Sequence, residues 1–177
     1  HRLDKVTSGA LVLAKTSLAA SKLSQSFQHR TVRKCYIAIS DKKPKKKQGL
    51  IKGDMVKSRR GAWRLSQTMN APAQTRFTSY AYQPGLRVFF VRPITGKTHQ
   101  IRVALKSISA PIIGDKYYHE TVQPAPDRTY LHAYWLSFRY DGQDYEVIAP
   151  PRQGRLFDQA FCQWLCDTLP SPSALWD

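Results

Sequence analysis

The sequence predicts an α+β protein with a largely antiparallel, mixed sheet and a few flanking helices. Segments with strand patterns outnumber helical segments, and short turns join most of them without an intervening helix. The chain has 177 residues, of which 42% are hydrophobic and 23% are charged, an ordinary composition for one globular domain. We therefore expect a single domain over residues 1–177.

The first elements follow from an apolar run and a cap. The run Ala10–Ala14 reads as a buried strand. Thr16 or Ser17 can cap a helix that reaches about Arg30, because a hydroxyl at this position accepts from the first free amides. Val32–Ser40 then has the composition of a strand.

Two basic segments follow, and neither has a composition that packs into a core. Residues 42–47, the basic tract, hold five lysines and one proline. Leu50–Val56 and Ala62–Thr68 read as two strands of an exposed hairpin. The segment between them, residues 57–61, gives that hairpin a basic tip.

In the middle of the chain an alternating apolar pattern is followed by apolar residues at helical spacing. Thr75–Tyr82 has the period-two pattern of a half-buried strand, and Leu86–Arg92 reads as the next strand after a Pro-Gly turn. Apolar residues then recur at helical spacing, which predicts a helix from about Thr98 to Ser109. Either Thr98 or Thr95 would cap it.

The last third predicts a hairpin and a helix. Tyr130–Tyr140 and Gln143–Ala149 flank Asp141-Gly142, a strong signal for a two-residue hairpin turn. Leu156–Leu169 has an apolar side at helical spacing and reads as an amphipathic helix.

The charge balance points to a polyanionic partner. Lys and Arg total 28 against 12 Asp and Glu, a net charge of +16, and such an excess favours nucleic acid. The longest apolar runs are too short to span a bilayer. With 3 cysteines and no CxxC pair, a reducing cytoplasm is the expected compartment. No metal-ligand cluster and no phosphate-binding glycine motif stands out, so we expect neither a metal nor a cofactor.

Four motifs together carry a family resemblance. They are HRLD-x-x-TSG at the start of the chain, K-x-Y-x-A around Tyr36, GKTHQIR ahead of PI-x-GD-x-x-Y, and R-x-x-LHA at residues 128–133. The set resembles the RluA-type pseudouridine synthases and runs from His1 to about Pro151. Departures occur at Ala104, Ser109-Ala110 and His119, where the family commonly has other residues. Members also carry strands ahead of HRLD, so the chain resembles a catalytic domain that lacks an upstream segment.

The resemblance implies a function for particular side chains. Asp4 would be the nucleophile of an RNA-uridine isomerase, Tyr36 would lie against the target base, and Arg102 would pair with Asp4. Arg2 would enter the space left by the flipped-out base. Taken singly, Tyr36 reads as a core aromatic, Arg102 as a snorkelling or ion-paired residue and Arg2 as a surface contact to phosphate. His132 reads as a core histidine.

Affinity for RNA is expected to come from the basic surface. Lys45 and Lys46 in the basic tract, and Arg59 and Arg60 at the hairpin tip, are the predicted RNA contacts. A solvated loop without a role in binding is an equally good interpretation of the tract. A non-catalytic RNA-binding module and a polybasic membrane-peripheral protein are the rival classes. A monomer is the simpler expectation, and ribosomal and transfer RNA stay open as substrates.

Overall fold

The computed structural model describes residues 1–120, 124–169 and 171–176. Its regular elements, in chain order, combine short and long strands with three α-helices. They are β1 (Ser8–Gly9), α1 (Ser17–Gln28), β2 (Arg33–Ser40), β3 (Gln48–Gly53), β4 (Met55–Lys57), β5 (Trp63–Leu65), β6 (Ala73–Gln83), β7 (Leu86–Pro93), α2 (Gln100–Ser107), β8 (Leu131–Tyr140), β9 (Gln143–Ile148) and α3 (Gln159–Thr168). The predicted α+β class is confirmed.

The chain divides into two compact units. The second unit, Tyr36–Leu131, contains an antiparallel sheet in which β7 pairs with β2 on one side and with β6 on the other, and β6 pairs with β3. The buried side chains of β7 are large and apolar along its middle, from Val88 to Val91. Strands β4 and β5 form a separate two-stranded ribbon, and α2 packs against β5, β6 and β7.

The first unit joins the start of the chain to its last third, residues 1–35 and 132 onward. Here β1 pairs with β8 in parallel, and β8 pairs with β9 in antiparallel register. The predicted hairpin turn at Asp141-Gly142 is confirmed, and both residues have the positive φ that this turn requires (48° and 80°). Thr16 caps α1 through a bond from the Ala19 amide of 3.1 Å, as predicted.

One strand prediction was wrong. The apolar run Ala10–Ala14 forms no strand, and only Ser8 and Gly9 ahead of it pair with β8. Leu11 and Leu13 are exposed, while Ala10 is buried beside Val32 and Leu136. The run is apolar because alternate residues cover this small core, which a continuous apolar pattern does not distinguish from a buried strand.

The basic tract is fixed at both ends. The amide of Lys42 donates to the Ser40 hydroxyl at 3.1 Å, and the carbonyl of Lys47 accepts from the amide and the hydroxyl of Ser79 at 2.7 and 2.9 Å. Pro44 is buried and the lysines are exposed. The tract therefore presents its ammonium groups from a held backbone. In the part of the chain that the structure describes, no helix is long and apolar enough to cross a bilayer.

Candidate active site

The HRLD-x-x-TSG motif forms a turn that leads into β1. The amide of Thr7 donates to the carbonyl of Asp4 at 2.8 Å, and the Asp4 side chain is partly exposed. Gly9 has a φ of +113°, and a Cβ at this position would overlap the backbone of Ala133. Only glycine allows this close approach of two backbones. The glycine of the motif therefore fixes the path of the chain that carries Asp4.

His132 anchors the same turn from the opposite strand. Its Nδ1 lies 2.7 Å from the Ser8 hydroxyl, and its Nε2 lies 2.6 Å from the carbonyl oxygen of Ala149. The carbonyl can only accept, so Nε2 carries the proton and Nδ1 accepts from Ser8. His132 is 5% exposed, and the interpretation of this residue as a structural histidine agrees with its contacts.

Tyr36 lies on the face of the second unit's sheet that α2 covers. It is opposite Val91, which is opposite Phe77. Opposed residues share a face, as do residues two apart along a strand, so Tyr36 shares its face with Thr75. Gln100, the first residue of α2, donates to the Thr75 hydroxyl at 3.0 Å. Tyr36 is 8% exposed, so its ring is largely buried on this face.

The start of α2 is held by the Gln100 side chain, and the prediction of a threonine cap was wrong. His99 precedes the helix with a φ of 56° and makes no side-chain cap bond. Gln100 Oε1 instead accepts from the Thr95 hydroxyl at 2.7 Å and from the Lys97 amide at 2.9 Å. A buried amide group satisfied at both ends fixes the entry angle of the helix that carries Arg102.

Arg102 and Asp115 form a buried ion pair, and Asp115 as the partner was not predicted from the sequence. Arg102 Nε and Nη2 each lie 2.7 Å from a carboxylate oxygen of Asp115. The residues are 3% and 1% exposed. This is the two-pronged geometry in which guanidinium and carboxylate match best. Arg102 is therefore buried and oriented, which agrees with the ion-paired interpretation and not with the snorkelling one. The signal was present, since Asp115 stands in the GD of the third motif.

Two tyrosine rings flank the Arg102 guanidinium. Its carbon lies 5.5 Å from the centre of the Tyr117 ring and 5.2 Å from that of Tyr118, within the range of cation–π attraction. The Tyr118 hydroxyl lies 2.8 Å from His99 Nδ1 and accepts from the Trp63 amide at 2.9 Å. The surroundings of Arg102 thus extend to the ribbon of β4 and β5.

That ribbon, residues 55–65, is the predicted basic hairpin. It carries Lys57, Arg59, Arg60 and Arg64 and no acidic residue, and these four side chains are exposed. The hairpin is shorter than predicted, because residues 50–53 belong to β3 and pair with β6. A short 3-10 turn, Arg59–Gly61, forms its tip.

Asp54 ties the base of the basic hairpin. Its carboxylate accepts from the amides of Asn70 and Ala71 at 2.9 and 2.8 Å. Hydrogen bonding from the Thr68 side chain and from these amides lowers the pKa of Asp54. The charged form is therefore the one that the fold favours.

We expect the hydrogen bonds of the Asp54 carboxylate to the amides of Asn70 and Ala71 to weaken only at acidic pH. With a lowered pKa in the folded state, the stabilising contribution of Asp54 is complete above the ordinary carboxyl pKa of about 3.9 and fades as pH falls through the lower folded value. NMR titration should show the Asp54 carboxyl and the amides of Asn70 and Ala71 changing together below that value. A carboxyl that titrates at or above it would contradict this assignment.

The structure places the predicted residues in both units. Asp4 and Arg2 lie in the first unit, and Tyr36 and Arg102 lie in the second. Arg2 is exposed, and the RNA-contact candidates are exposed as well. They are Lys45, Lys46, Arg59 and Arg60. The pairing of Arg102 with Asp4 stays a prediction.

Comparison with known proteins identifies the family. The model of the RNA pseudouridylate synthases matches residues 1–107. The chain belongs to that family. The match includes Asp4, Tyr36 and Arg102, and it confirms the resemblance inferred from the motifs. It also confirms the predicted enzyme class, an RNA pseudouridine synthase isomerase, and an RNA substrate follows from it.

Individual pseudouridine synthases are similar in sequence to this chain over most of its length. An uncharacterized RNA pseudouridine synthase of Haemophilus influenzae is 51% identical over 157 residues, which are 89% of this chain and 70% of that protein. Ribosomal large subunit pseudouridine synthase C of Rickettsia bellii is 36% identical over 138 residues. These are 75% of this chain but only 46% of the Rickettsia protein, so the chain spans less than half of that relative.

Solved structures of pseudouridine synthases share the fold. Human RNA pseudouridylate synthase domain containing 1 superposes with a TM-score of 0.75 at 28% identity, over 90% of this chain and 71% of that one. The human domain containing 4 protein superposes with a TM-score of 0.71. The predicted pseudouridine synthase catalytic-domain fold is confirmed.

Proposed function

We propose that this chain converts specific uridines of ribosomal or transfer RNA to pseudouridine, with Asp4 as the nucleophile. The family match over residues 1–107, which contains the complete HRLD motif, carries the proposal. The name of the Rickettsia relative refers to the large ribosomal subunit, and this favours ribosomal RNA as the first substrate to test. We further propose that the protein acts as a monomer in the cytoplasm.

The reaction is an isomerisation that needs no cofactor. The bond between N1 and the ribose carbon C1′ breaks, the uracil turns, and C5 forms a new bond to C1′. The proton lost from C5 is balanced by the proton gained at N1, so no atom is added or removed. The protein must supply a nucleophile, access to the base and a closed space in which the free uracil can turn.

Asp4 supplies the nucleophile in this proposal. Its carboxylate attacks either C1′ of the ribose or the base, and a covalent adduct divides one difficult step into two easier ones. Two features support this role. The turn before β1 holds the main chain of Asp4, and the Gly9 contact with Ala133 fixes that turn. A nucleophile on a held backbone starts close to its reactive geometry.

Tyr36 and Arg102 complete the proposed site. The Tyr36 ring, buried on the face that α2 covers, gives a flat apolar surface for a uracil removed from its stack. Arg102 is oriented by Asp115 on two of its nitrogens and is proposed to pair with Asp4 as well. That second pair would hold the carboxylate of the nucleophile in one orientation.

Access requires the target uridine to leave the helix. Flipping a nucleotide costs a few kcal/mol, about the value of its lost stacking and pairing. Arg2 lies two residues from Asp4 and is exposed, so we propose that its side chain enters the space left by the base. Arg2 would then compensate part of that cost with contacts to the unpaired partner strand.

The basic tract is proposed to bind phosphates away from the pocket. Replacing Lys42, Lys43, Lys45, Lys46 and Lys47 by serine should weaken binding to all RNA sequences, because phosphate contacts carry no sequence information. The slope of log affinity against log salt should fall by roughly 0.7–0.9 for each phosphate that the variant no longer neutralises. Filter binding at several salt concentrations measures both. An unchanged slope would assign the tract to solvent.

Incubation of the purified protein with ribosomal RNA from cells that lack its gene tests the function. Pseudouridine is then mapped by reverse-transcription stops after carbodiimide labelling. New pseudouridine at one or a few positions is the expected result. RNA binding without any new pseudouridine would instead favour the rival, a non-catalytic RNA-binding module. The same assay on transfer RNA separates the two substrate classes.

A further inference from the structure

We propose that Tyr118 is a positioning residue. Through its hydroxyl, Tyr118 couples RNA binding at the basic hairpin to the orientation of Arg102. The inference deepens the proposed function and rests on it. Neither the family match, which ends at residue 107, nor the predicted site includes Tyr118. Its role follows from contacts within the second unit alone.

The Tyr118 hydroxyl holds two segments at once. It accepts from the amide of Trp63 in β5 at 2.9 Å, and it lies 2.8 Å from Nδ1 of His99. A phenol has one proton to donate and lone pairs to accept with, so it can donate to His99 while accepting from Trp63. Tyr118 is 7% exposed. Such bonds inside a low-dielectric interior resist displacement more than bonds in water.

The Tyr118 ring connects the same bonds to Arg102. The guanidinium carbon lies 5.2 Å from the ring centre, on a side chain whose other contacts include Asp115 at 2.7 Å. Tyr118 also follows Asp115 closely, and its amide donates to the Asp115 carbonyl at 3.2 Å. A shift of Trp63 therefore moves the hydroxyl, the ring and the Asp115 segment together. The ring lies against the Arg102 guanidinium, and Asp115 is its carboxylate partner.

The basic hairpin, whose Trp63 bonds Tyr118, has the charge to bind phosphate. The basic hairpin carries four exposed cations and no acid, and a two-stranded ribbon is only marginally stable by itself. Its packing on α2 and the Trp63 bond to Tyr118 must therefore hold it. At the tip Arg60 has a φ of 54°, a conformation that is strained for a side chain other than glycine. RNA phosphates on Arg59 and Arg60 would bear directly on this ribbon.

The first test removes only the hydroxyl. Tyr118→Phe keeps the ring and should lower the rate of pseudouridine formation in a single turnover at saturating RNA about tenfold, because the bonds of the hydroxyl to Trp63 and His99 are lost. RNA affinity should stay within about twofold. Tyr145→Phe is the matched control, because that hydroxyl bonds Gln143 in β9 at 3.1 Å on an exposed side chain. It should react like the wild type.

The second test measures coupling with a double-mutant cycle. In the wild-type background, Arg59→Ala with Arg60→Ala should weaken RNA binding and also slow the saturated single-turnover reaction about fivefold, as for roughly 1 kcal/mol of lost coupling. In the Tyr118→Phe background the two arginine substitutions should weaken RNA binding as much as in the wild type. They should not slow the reaction below the rate of Tyr118→Phe alone. Additive slowing of the reaction would overturn the coupling. A purely structural Tyr118 predicts that additive result.

The outcomes also separate this inference from the proposed function. A wild-type protein that forms no pseudouridine overturns both. An active wild type whose saturated rate is unaffected by the hairpin pair, or by Tyr118→Phe, overturns the inference alone. Thermal unfolding of each variant accompanies the assay. If Tyr118→Phe does not fold, the hairpin pair in the wild-type background decides, since both arginines are exposed and their loss should leave folding intact.

Discussion

Replacement of Asp4 by asparagine is expected to abolish pseudouridine formation and to leave RNA affinity within about twofold of the wild type. The amide keeps the shape of the carboxylate but is not a nucleophile, so the rate should fall at least about a thousandfold. The RNA contacts proposed for the basic tract and the basic hairpin lie outside this change. Single-turnover assays and filter binding on the same RNA measure the two effects separately.

Two controls make this prediction strict. Asp144→Asn is the matched substitution, since Asp144 is a surface carboxylate, 78% exposed and 3.9 Å from Arg139, and it should retain full activity. Asp4→Ala guards against deamidation, which would restore aspartate from asparagine over time. An Asp4→Ala protein that still forms pseudouridine at more than a trace rate would show that another group is the nucleophile.

Replacement of Asp115 by asparagine is expected to lower the free energy of unfolding by about 3–5 kcal/mol, the cost of breaking a buried ion pair on one side. The new amide nitrogen would face a guanidinium nitrogen, donor against donor. Arg102, at 3% exposure, would keep its charge without its two-pronged partner. For a chain of this size the midpoint of thermal unfolding should drop by roughly 6–20 °C.

The exposed pair Arg139 and Asp144 again supplies the comparison. Asp144→Asn should change the free energy of unfolding by less than about 1 kcal/mol, because solvent screens an exposed ion pair. Calorimetry or urea unfolding on the two variants gives the contrast directly. Equal losses of unfolding free energy in the two variants would mean that burial does not determine how much the Arg102–Asp115 pair stabilises the fold. At temperatures where Asp115→Asn is folded, we also expect slower pseudouridine formation, since Arg102 loses its orientation.

Local patterns predicted most of the elements. The period-two pattern of β6, the Asp141-Gly142 turn and the Thr16 cap all depend on residues within a few positions of each other, and the structure has them. The family followed from the motifs for a related reason. A string such as HRLD-x-x-TSG fixes a turn, a nucleophile candidate and the Gly9 approach within one short segment, and each of those needs a particular side chain.

The errors concern contacts that the local pattern of an element does not specify. The run Ala10–Ala14 was read as a strand because an apolar pattern does not reveal which residue finds a strand partner. Thr98 or Thr95 was read as the cap of α2, but His99 stands at that position and Thr95 bonds Gln100 inside a buried network with Gln74 and Thr75. The partnership of Arg102 with Asp115 was missed although Asp115 stands in the third motif, because the spacing of a helix does not say which carboxylate an arginine binds. In each case tertiary contacts outweigh local preference.

The pairing of β1 with β8 also has a consequence for the order in which the protein becomes active. Ser8 and Gly9 leave the ribosome long before their partners His132 and Ala133, which are synthesised only after the whole second unit. Contacts of such separation form slowly, because the intervening chain must first be closed into a loop. During translation the HRLD segment therefore cannot pair with β8 until that strand has left the ribosome. A nascent chain that has not yet reached β8 should consequently leave RNA unmodified.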